Sequence, residues 1–237
     1  MKKNTLPALV AVVCTLAGAV CMLLRQWLLT TGIDQKGLLV AGHIGDIASW
    51  CITAAVLLAL GLFTVLRKPQ CQFHTSRFSH IGSMLQILAF GMASTTFDRT
   101  SILSVLCYLA ALLTGICYII RLLLHINVKQ IPPLLYSAPV VFYLLFILCC
   151  YQHWSSQPQL QLFGFQLLAL LCLTVSAYHR AAIALNIGNS RLYFFFSNAA
   201  LFLCLAAIPG DSKPLFFLLM AASTLLDGCA TADPEEA

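Results

Sequence analysis

The sequence predicts an all-α fold, a polytopic transmembrane helical bundle whose N-terminus lies in the cytoplasm. Hydrophobic residues make up 60% of the 237 and charged residues only 9%, whereas soluble domains carry about 25% charged residues. The apolar residues lie in blocks close to the roughly 20 residues that an α-helix needs to cross hydrocarbon. A helix satisfies its own backbone N–H and C=O groups inside lipid, so each block should be helical. Eight helices are predicted, or seven if the last block does not cross.

A transmembrane β-barrel is the other architecture that can span a bilayer. Its strands would require apolar and polar residues to alternate along the chain. The stretch 140–148 reads VVFYLLFIL and does not alternate. The pattern therefore favours helices.

The first apolar block spans about 6–24 and follows Lys2 and Lys3. Ala17-Gly18-Ala19 resembles a signal-peptide cleavage site, but the apolar run continues past it. The block exceeds the 7–15 apolar residues of a signal core. We therefore expect it to remain as the first membrane helix.

The remaining blocks predict seven more helices within one domain, 1–230, which is followed by a polar tail at 231–237. The third is the least apolar and is expected in the middle of the bundle, away from lipid. Pro139 is expected to bend the fifth. The eighth is short enough to lie in the membrane interface instead. Their predicted bounds are about 47–66, 81–97, 102–120, 134–151, 160–178, 192–208 and 215–229.

The cations predict the orientation. With the N-terminus inside, nine of the thirteen Lys and Arg fall in cytoplasmic segments, and only Arg25, Lys36, Arg99 and Lys213 fall outside. This is the asymmetry expected of short membrane loops. The tryptophans all fall at exterior helix ends, where interfacial rings belong. Both signals predict a multi-pass protein of a bacterial-type cytoplasmic (cell) membrane.

Charge and cysteine positions restrict the partners. The cations are scattered in ones and twos, so no nucleic-acid surface is predicted. The expected partner is the lipid bilayer, and a second membrane protein is an alternative. Nine of the eleven cysteines lie inside apolar blocks, where cysteine behaves as a small hydrophobe. We expect them to be reduced.

The exterior segment between the first two helices carries several polar residues. Asp34, Lys36, His43 and Asp46 should gather near the outer mouth of the bundle, around a turn at 34–37 that closes a small hairpin. One interpretation is a binding loop or lid. The other is a compact cap over the helix ends.

Three amides lie within predicted helices. Gln86, Gln166 and Asn198 could line a mildly polar pocket for a neutral or amphipathic small molecule. Alternatively, they serve as hydrogen bonds between helices, which are common in membrane bundles.

Metal and catalytic motifs are weak in this sequence. Cys71, His74 and His80 suggest a metal site, but a structural zinc site usually has four protein ligands, and no fourth is evident. We predict no metal, no cofactor and no catalytic residue. The sequence has no His-Glu-x-x-His or Gly-x-Ser-x-Gly motif and no paired carboxylates. The prediction is that the protein is not an enzyme.

The stretch Trp27 to His43, between the first two of eight helices, resembles a pattern in uncharacterised bacterial multi-pass membrane proteins. The resemblance covers this loop and the helix count, and it implies no activity. The predicted function is a non-enzymatic component that binds or passes a small molecule, or an accessory membrane subunit. The alternatives are a membrane-embedded enzyme acting on a lipid-like substrate, and a membrane sensor or scaffold.

Overall fold

The computed structural model describes residues 6–34, 39–40, 42–67, 69, 77–95, 101–123, 133–154, 163–210 and 213–230. Eight α-helices make up nearly all of these residues. Within those residues, the one β-type backbone pairing is an isolated antiparallel bridge between Ile33 and Leu39. The predicted all-α bundle of eight helices is confirmed. The helices are α1 Leu6–Thr31, α2 Ile44–Arg67, α3 Arg77–Thr95, α4 Ile102–Leu123, α5 Pro133–Trp154, α6 Gly164–Ala184, α7 Ser190–Ala207 and α8 Pro214–Ala230.

Several helices have the length and composition of membrane spans. Among the described residues, α1, α2, α4, α6 and α7 are long and apolar enough to cross a bilayer. Helices α5 and α8 hold shorter apolar stretches, Ser137–Gln152 and Pro214–Cys229. These properties are those of a membrane protein.

Six helices form a closed ring. Helices α3 to α8 each pack against the next, and α8 packs back against α3. Helices α1 and α2 lie outside the ring, where both pack against α7 and α1 also contacts α8. The ring therefore has a lumen of its own, and α7 separates it from the outer pair.

The most buried helix is α7, so the expectation that the third helix occupies the middle is wrong. In the most apolar 18-residue stretch of α7, 67% of the residues are buried, against 22% in the corresponding stretches of α1, α2 and α4. Fully buried alanines let neighbouring helices approach α7 closely. On its α1 side, a Cβ added to Gly18 would lie 3.0 Å from Leu205 Cβ. The fully buried alanines of α7 are Ala199, Ala200, Ala206 and Ala207.

Helix α1 extends to Thr31, seven residues beyond its predicted end. It continues through Arg25, which we had placed in the exterior segment. The hydroxyls of Thr30 and Thr31 each donate a 2.8 Å hydrogen bond to the carbonyl oxygen of Trp27, so these polar residues are satisfied within the helix. Arg25 is buried at 4% exposure. The polar residues after position 24 therefore continue the helix rather than end it.

Helix α6 runs from Gly164 to Ala184, whereas the sequence predicted about 160–178. It thus includes Arg180, which had been assigned to a loop. Asn186 adopts a left-handed φ of 61° in the turn that follows, and the amide of Ile187 donates to the carbonyl of Ala182 at 3.0 Å. This is a common way to satisfy the last carbonyls of a helix.

Helix α7 begins directly after this turn. The side chain of Asn189 accepts a 3.0 Å hydrogen bond from the amide of Arg191 and caps the helix. The short α6–α7 turn brings the last turn of α6 beside the first turn of α7. We call this end of the bundle the α6–α7 end.

Candidate functional site

A polar cavity lies in the lumen of the ring. All six ring helices contribute to its wall. The cavity has a volume of about 40 Å³, which is room for roughly three waters. Its polar lining consists of Gln86, Tyr118, Tyr143, Ser176, Arg180, Tyr193, Ser197, Thr224 and Asp227.

An ion pair joins two sides of this cavity. The Nη1 of Arg180 on α6 donates a 2.6 Å hydrogen bond to the Oδ2 of Asp227 on α8. Both side chains are under 10% exposed. Buried charges persist in an apolar protein when they are paired. Because the pair spans α6 and α8, it ties together two helices that are separated in the ring by α7.

Gln86 contributes an unpaired hydrogen-bond acceptor. It lies on α3, is 4% exposed, and lines the cavity. Its Oε1 is buried and has no hydrogen-bond partner among the described residues. Buried polar atoms are nearly always hydrogen-bonded, so this acceptor calls for a donor other than the described residues, such as a water or a ligand.

Two hydroxyls of the cavity wall are engaged with other groups. Thr224 donates to the carbonyl oxygens of Met220 and Ala221, both at 2.9 Å. The hydroxyl of Tyr143 lies 3.8 Å from the sulfur of Met220, and a thioether is a weak acceptor. The cavity therefore has an amide acceptor that these neighbours leave unsatisfied.

Helix geometry gives the depth of the cavity. Asp227 lies three residues before the end of α8 at Ala230, and Arg180 lies four residues before the end of α6. Tyr143 lies ten residues into α5, which begins at Pro133. At a rise of about 1.5 Å per residue, the cavity extends from near the α6–α7 end to roughly 15 Å along the helices. That depth is half of a hydrocarbon core of about 30 Å.

At and beyond this depth, five buried phenylalanines of α3, α5 and α8 pack against one another. Each is at most 2% exposed. Their rings form a chain of contacts in which consecutive centroids lie 5.0 to 5.4 Å apart. These distances are in the range of favourable aromatic contacts. We call them the aromatic plug. They are Phe90, Phe142, Phe146, Phe216 and Phe217.

A cation caps the far side of the plug. The Nζ of Lys213, just before α8, lies 4.9 Å from the ring centroid of Phe146, within the range of a cation–π interaction. The lumen is therefore polar towards the α6–α7 end and filled with aromatic rings towards the other.

The three amides singled out in the sequence do not meet in one pocket. Gln86 lines the cavity, whereas Gln166 and Asn198 are not part of its wall. The Nε2 of Gln166 donates to the carbonyl of Ala207 across α6 and α7 at 3.4 Å. The Nδ2 of Asn198 donates to the carbonyl of Phe194 within α7 at 2.9 Å. These two amides therefore have the hydrogen bonds expected of packing residues.

The described part of the segment between α1 and α2 packs against the ends of both helices. His43 Nδ1 accepts a 3.1 Å hydrogen bond from the amide of Gly45 at the start of α2, and its ring packs 5.1 Å from that of Trp27. Asp46 lies in the first turn of α2, where a carboxylate suits the helix dipole. Asp34 is exposed beside the bridge residue Ile33.

Lys36, Cys71 and His74 lie outside the described residues. Among the residues that are described, no group of three His, Cys, Asp or Glu side chains could hold a metal ion.

A second buried arginine lies near the opposite end of the bundle. The guanidinium of Arg25 lies 4.2 Å from the ring centroid of Phe165, in the first turn of α6. The ring of Trp50 on α2 packs against the same phenylalanine at 4.6 Å. This cation–π contact fastens the outer pair of helices to the ring.

The pairing of Arg180 with Asp227 was not predicted from the sequence. The predicted sixth helix ends at about 178, which places Arg180 in a loop rather than beside a residue of another helix. One signal could have found them, because Asp227 is the only carboxylate within the predicted helix bounds. An ionisable residue within a membrane helix should prompt a search for its partner.

Comparison with protein families, curated proteins and solved structures gave no match. The resemblance to uncharacterised bacterial membrane proteins therefore stays a prediction.

Proposed function

We propose that this chain is a multi-pass protein of the cell membrane, with both ends in the cytoplasm. The apolar helices support the crossings, and the excess of Lys and Arg in alternate connections supports the orientation. In this orientation, the α6–α7 end lies on the cytoplasmic side. The cavity then occupies the cytoplasmic half of the membrane.

Within that frame, the function we propose is non-enzymatic binding of a small polar molecule in the cavity. The observation that carries the proposal is the buried, unpartnered Oε1 of Gln86 in the cavity wall. An acceptor left unsatisfied inside an apolar bundle is costly unless a bound molecule completes it. The aromatic plug favours binding over an open pore, because its five buried rings pack together at and beyond the inner end of the cavity.

A membrane enzyme is the competing function, and the ion pair is the feature that would favour it. Arg180 and Asp227 are two titratable groups within hydrogen-bond distance in a cavity. General acid–base catalysis needs a group that gains and loses a proton near neutral pH. A guanidinium stays protonated in proteins, and the carboxylate is engaged with it. The pair therefore suits the recognition of a ligand better than proton transfer.

Ligand-dependent thermal unfolding of the detergent-purified protein tests the proposal. A ligand that binds the native state raises the unfolding midpoint. We expect at least one compound of a metabolite and lipid panel to raise it for the wild type but not for Ser197→Leu, which fills the cavity. The control Gly115→Leu adds the same side chain where a Cβ meets nothing within 4 Å. Equal shifts in both variants, or none in the wild type, would contradict the proposal.

A further inference from the structure

The chemistry of the cavity wall restricts the ligand, and the inference drawn here rests on the proposed function. The charges of the wall come first. Arg180 and Asp227 are the formally charged residues among those lining the cavity, and they pair with each other at 2.6 Å. The wall therefore carries no net charge. A charged ligand would give up its hydration without meeting an uncompensated opposite charge, so this wall favours a neutral molecule.

The hydrogen-bonding needs of the wall come second. Gln86 Oε1 is an acceptor and needs an N–H or O–H donor. The hydroxyl of Thr224 already donates to backbone carbonyls of its own helix. A ligand that completes this site must therefore bring a donor of its own.

Size is the third restriction. The cavity volume of about 40 Å³ corresponds to roughly three waters. A molecule with a few non-hydrogen atoms fits such a space, and a phospholipid headgroup does not. The aromatic plug prevents a longer ligand from extending past Tyr143 towards the other end of the bundle.

We propose that the cavity binds a small uncharged molecule that donates an N–H or O–H hydrogen bond to Gln86 Oε1, as a primary amide or a short alcohol would. The three tyrosines of the wall, Tyr118, Tyr143 and Tyr193, pack against its apolar part. The Arg180–Asp227 pair stays closed when the molecule is bound, because a neutral ligand replaces neither partner.

Four solutes with the same number of non-hydrogen atoms test this ligand class with the full-length protein in detergent. Acetamide is neutral and has an N–H donor, acetone is neutral and has none, and acetate and acetamidinium carry charges. We expect acetamide to raise the unfolding midpoint of the wild type in a saturable manner. The shift should be lost in Gln86→Leu and kept in Gln26→Leu, the same change at an exposed position of α1.

The outcomes separate the ligand class from the proposed function. A shift with acetone equal to that with acetamide, or an acetamide shift that persists in Gln86→Leu, would overturn the donor requirement. A shift with acetate or acetamidinium alone would overturn the neutral class and leave binding in the cavity standing. If no solute of this set and no compound of the wider panel shifts the midpoint, both proposals fail.

Discussion

The Nη1 of Arg180 and the Oδ2 of Asp227 lie 2.6 Å apart, and Arg25 is the one other buried charged residue in the part of the chain that the structure describes. The pair connects the last turns of α6 and α8 at the α6–α7 end. Removing one partner leaves the other charge buried without compensation, which typically costs about 3–5 kcal/mol. We therefore expect Arg180→Met and Asp227→Leu each to lower the free energy of unfolding by that amount.

The double variant is the decisive comparison. Replacing a whole buried ion pair with apolar residues is often close to neutral. Arg180→Met combined with Asp227→Leu should therefore be much more stable than the sum of the single effects implies. Unfolding of the purified protein in mixed detergent micelles measures all four members of this cycle. Additive losses would show that the two side chains do not depend on each other.

Two glutamines should respond oppositely to the same substitution. Gln86→Leu removes a buried acceptor that has no partner among the described residues, so we expect the ligand-free protein to gain about 1 kcal/mol. Gln166→Leu breaks the hydrogen bond to Ala207 and should cost about 1–3 kcal/mol. Unfolding midpoints of both variants check the contrast. A loss of stability in Gln86→Leu equal to that in Gln166→Leu would indicate that Gln86 also holds the helices together.

Phe165 should contribute more to stability than an exposed phenylalanine does. It lies under the guanidinium of Arg25 and beside Trp50. Phe165→Leu should lower the free energy of unfolding by about 2 kcal/mol, since a desolvated cation–π contact contributes that much. Phe78→Leu, at a side chain that is 43% exposed, should stay within about 0.5 kcal/mol of the wild type. Equal effects in the two variants would remove the argument that Arg25 fastens α1 to α6.

The α6–α7 turn should tolerate no side chain at Gly188. A Cβ added there would collide with the backbone nitrogen of Ile183, so Gly188→Ala must shift the turn that orients Arg180 and Tyr193. We expect a lower unfolding midpoint for this variant. Gly91→Ala is the control, because a Cβ at Gly91 on α3 meets nothing within 4 Å. That change should be neutral or should stabilise the helix by about 0.5–1 kcal/mol. A Gly188→Ala midpoint equal to that of the wild type would contradict the steric argument.

The fold was predictable because its cause is local. Long apolar blocks must form helices in lipid, so the approximate positions of most helices follow from hydropathy. The ends were less predictable where polar residues are accommodated by tertiary contacts. Arg25 continues α1 because Phe165 receives its guanidinium, and Arg180 continues α6 because Asp227 pairs with it. Neither partner is near in sequence.

The site was predictable only in part. Gln86 was singled out as a polar residue in a helix, and the structure places it in the cavity wall. Gln166 and Asn198 have the same chemistry but find carbonyl partners in α7. Which amide is left unsatisfied depends on how helices rotate against one another, and this rotation follows from packing of side chains that lie far apart in sequence.

Cysteine accessibility in intact cells tests the membrane arrangement most directly. Val40, between α1 and α2, and Ile187, in the α6–α7 turn, are 50% and 79% exposed and lie on opposite sides in the proposed orientation. We expect Val40→Cys to react with a membrane-impermeant maleimide in intact cells, and Ile187→Cys to react only after lysis. Labelling of the unsubstituted chain, which has its own cysteines, gives the background to subtract. Labelling of Ile187→Cys from outside intact cells would contradict the proposed crossing of the membrane and the cytoplasmic position of the cavity.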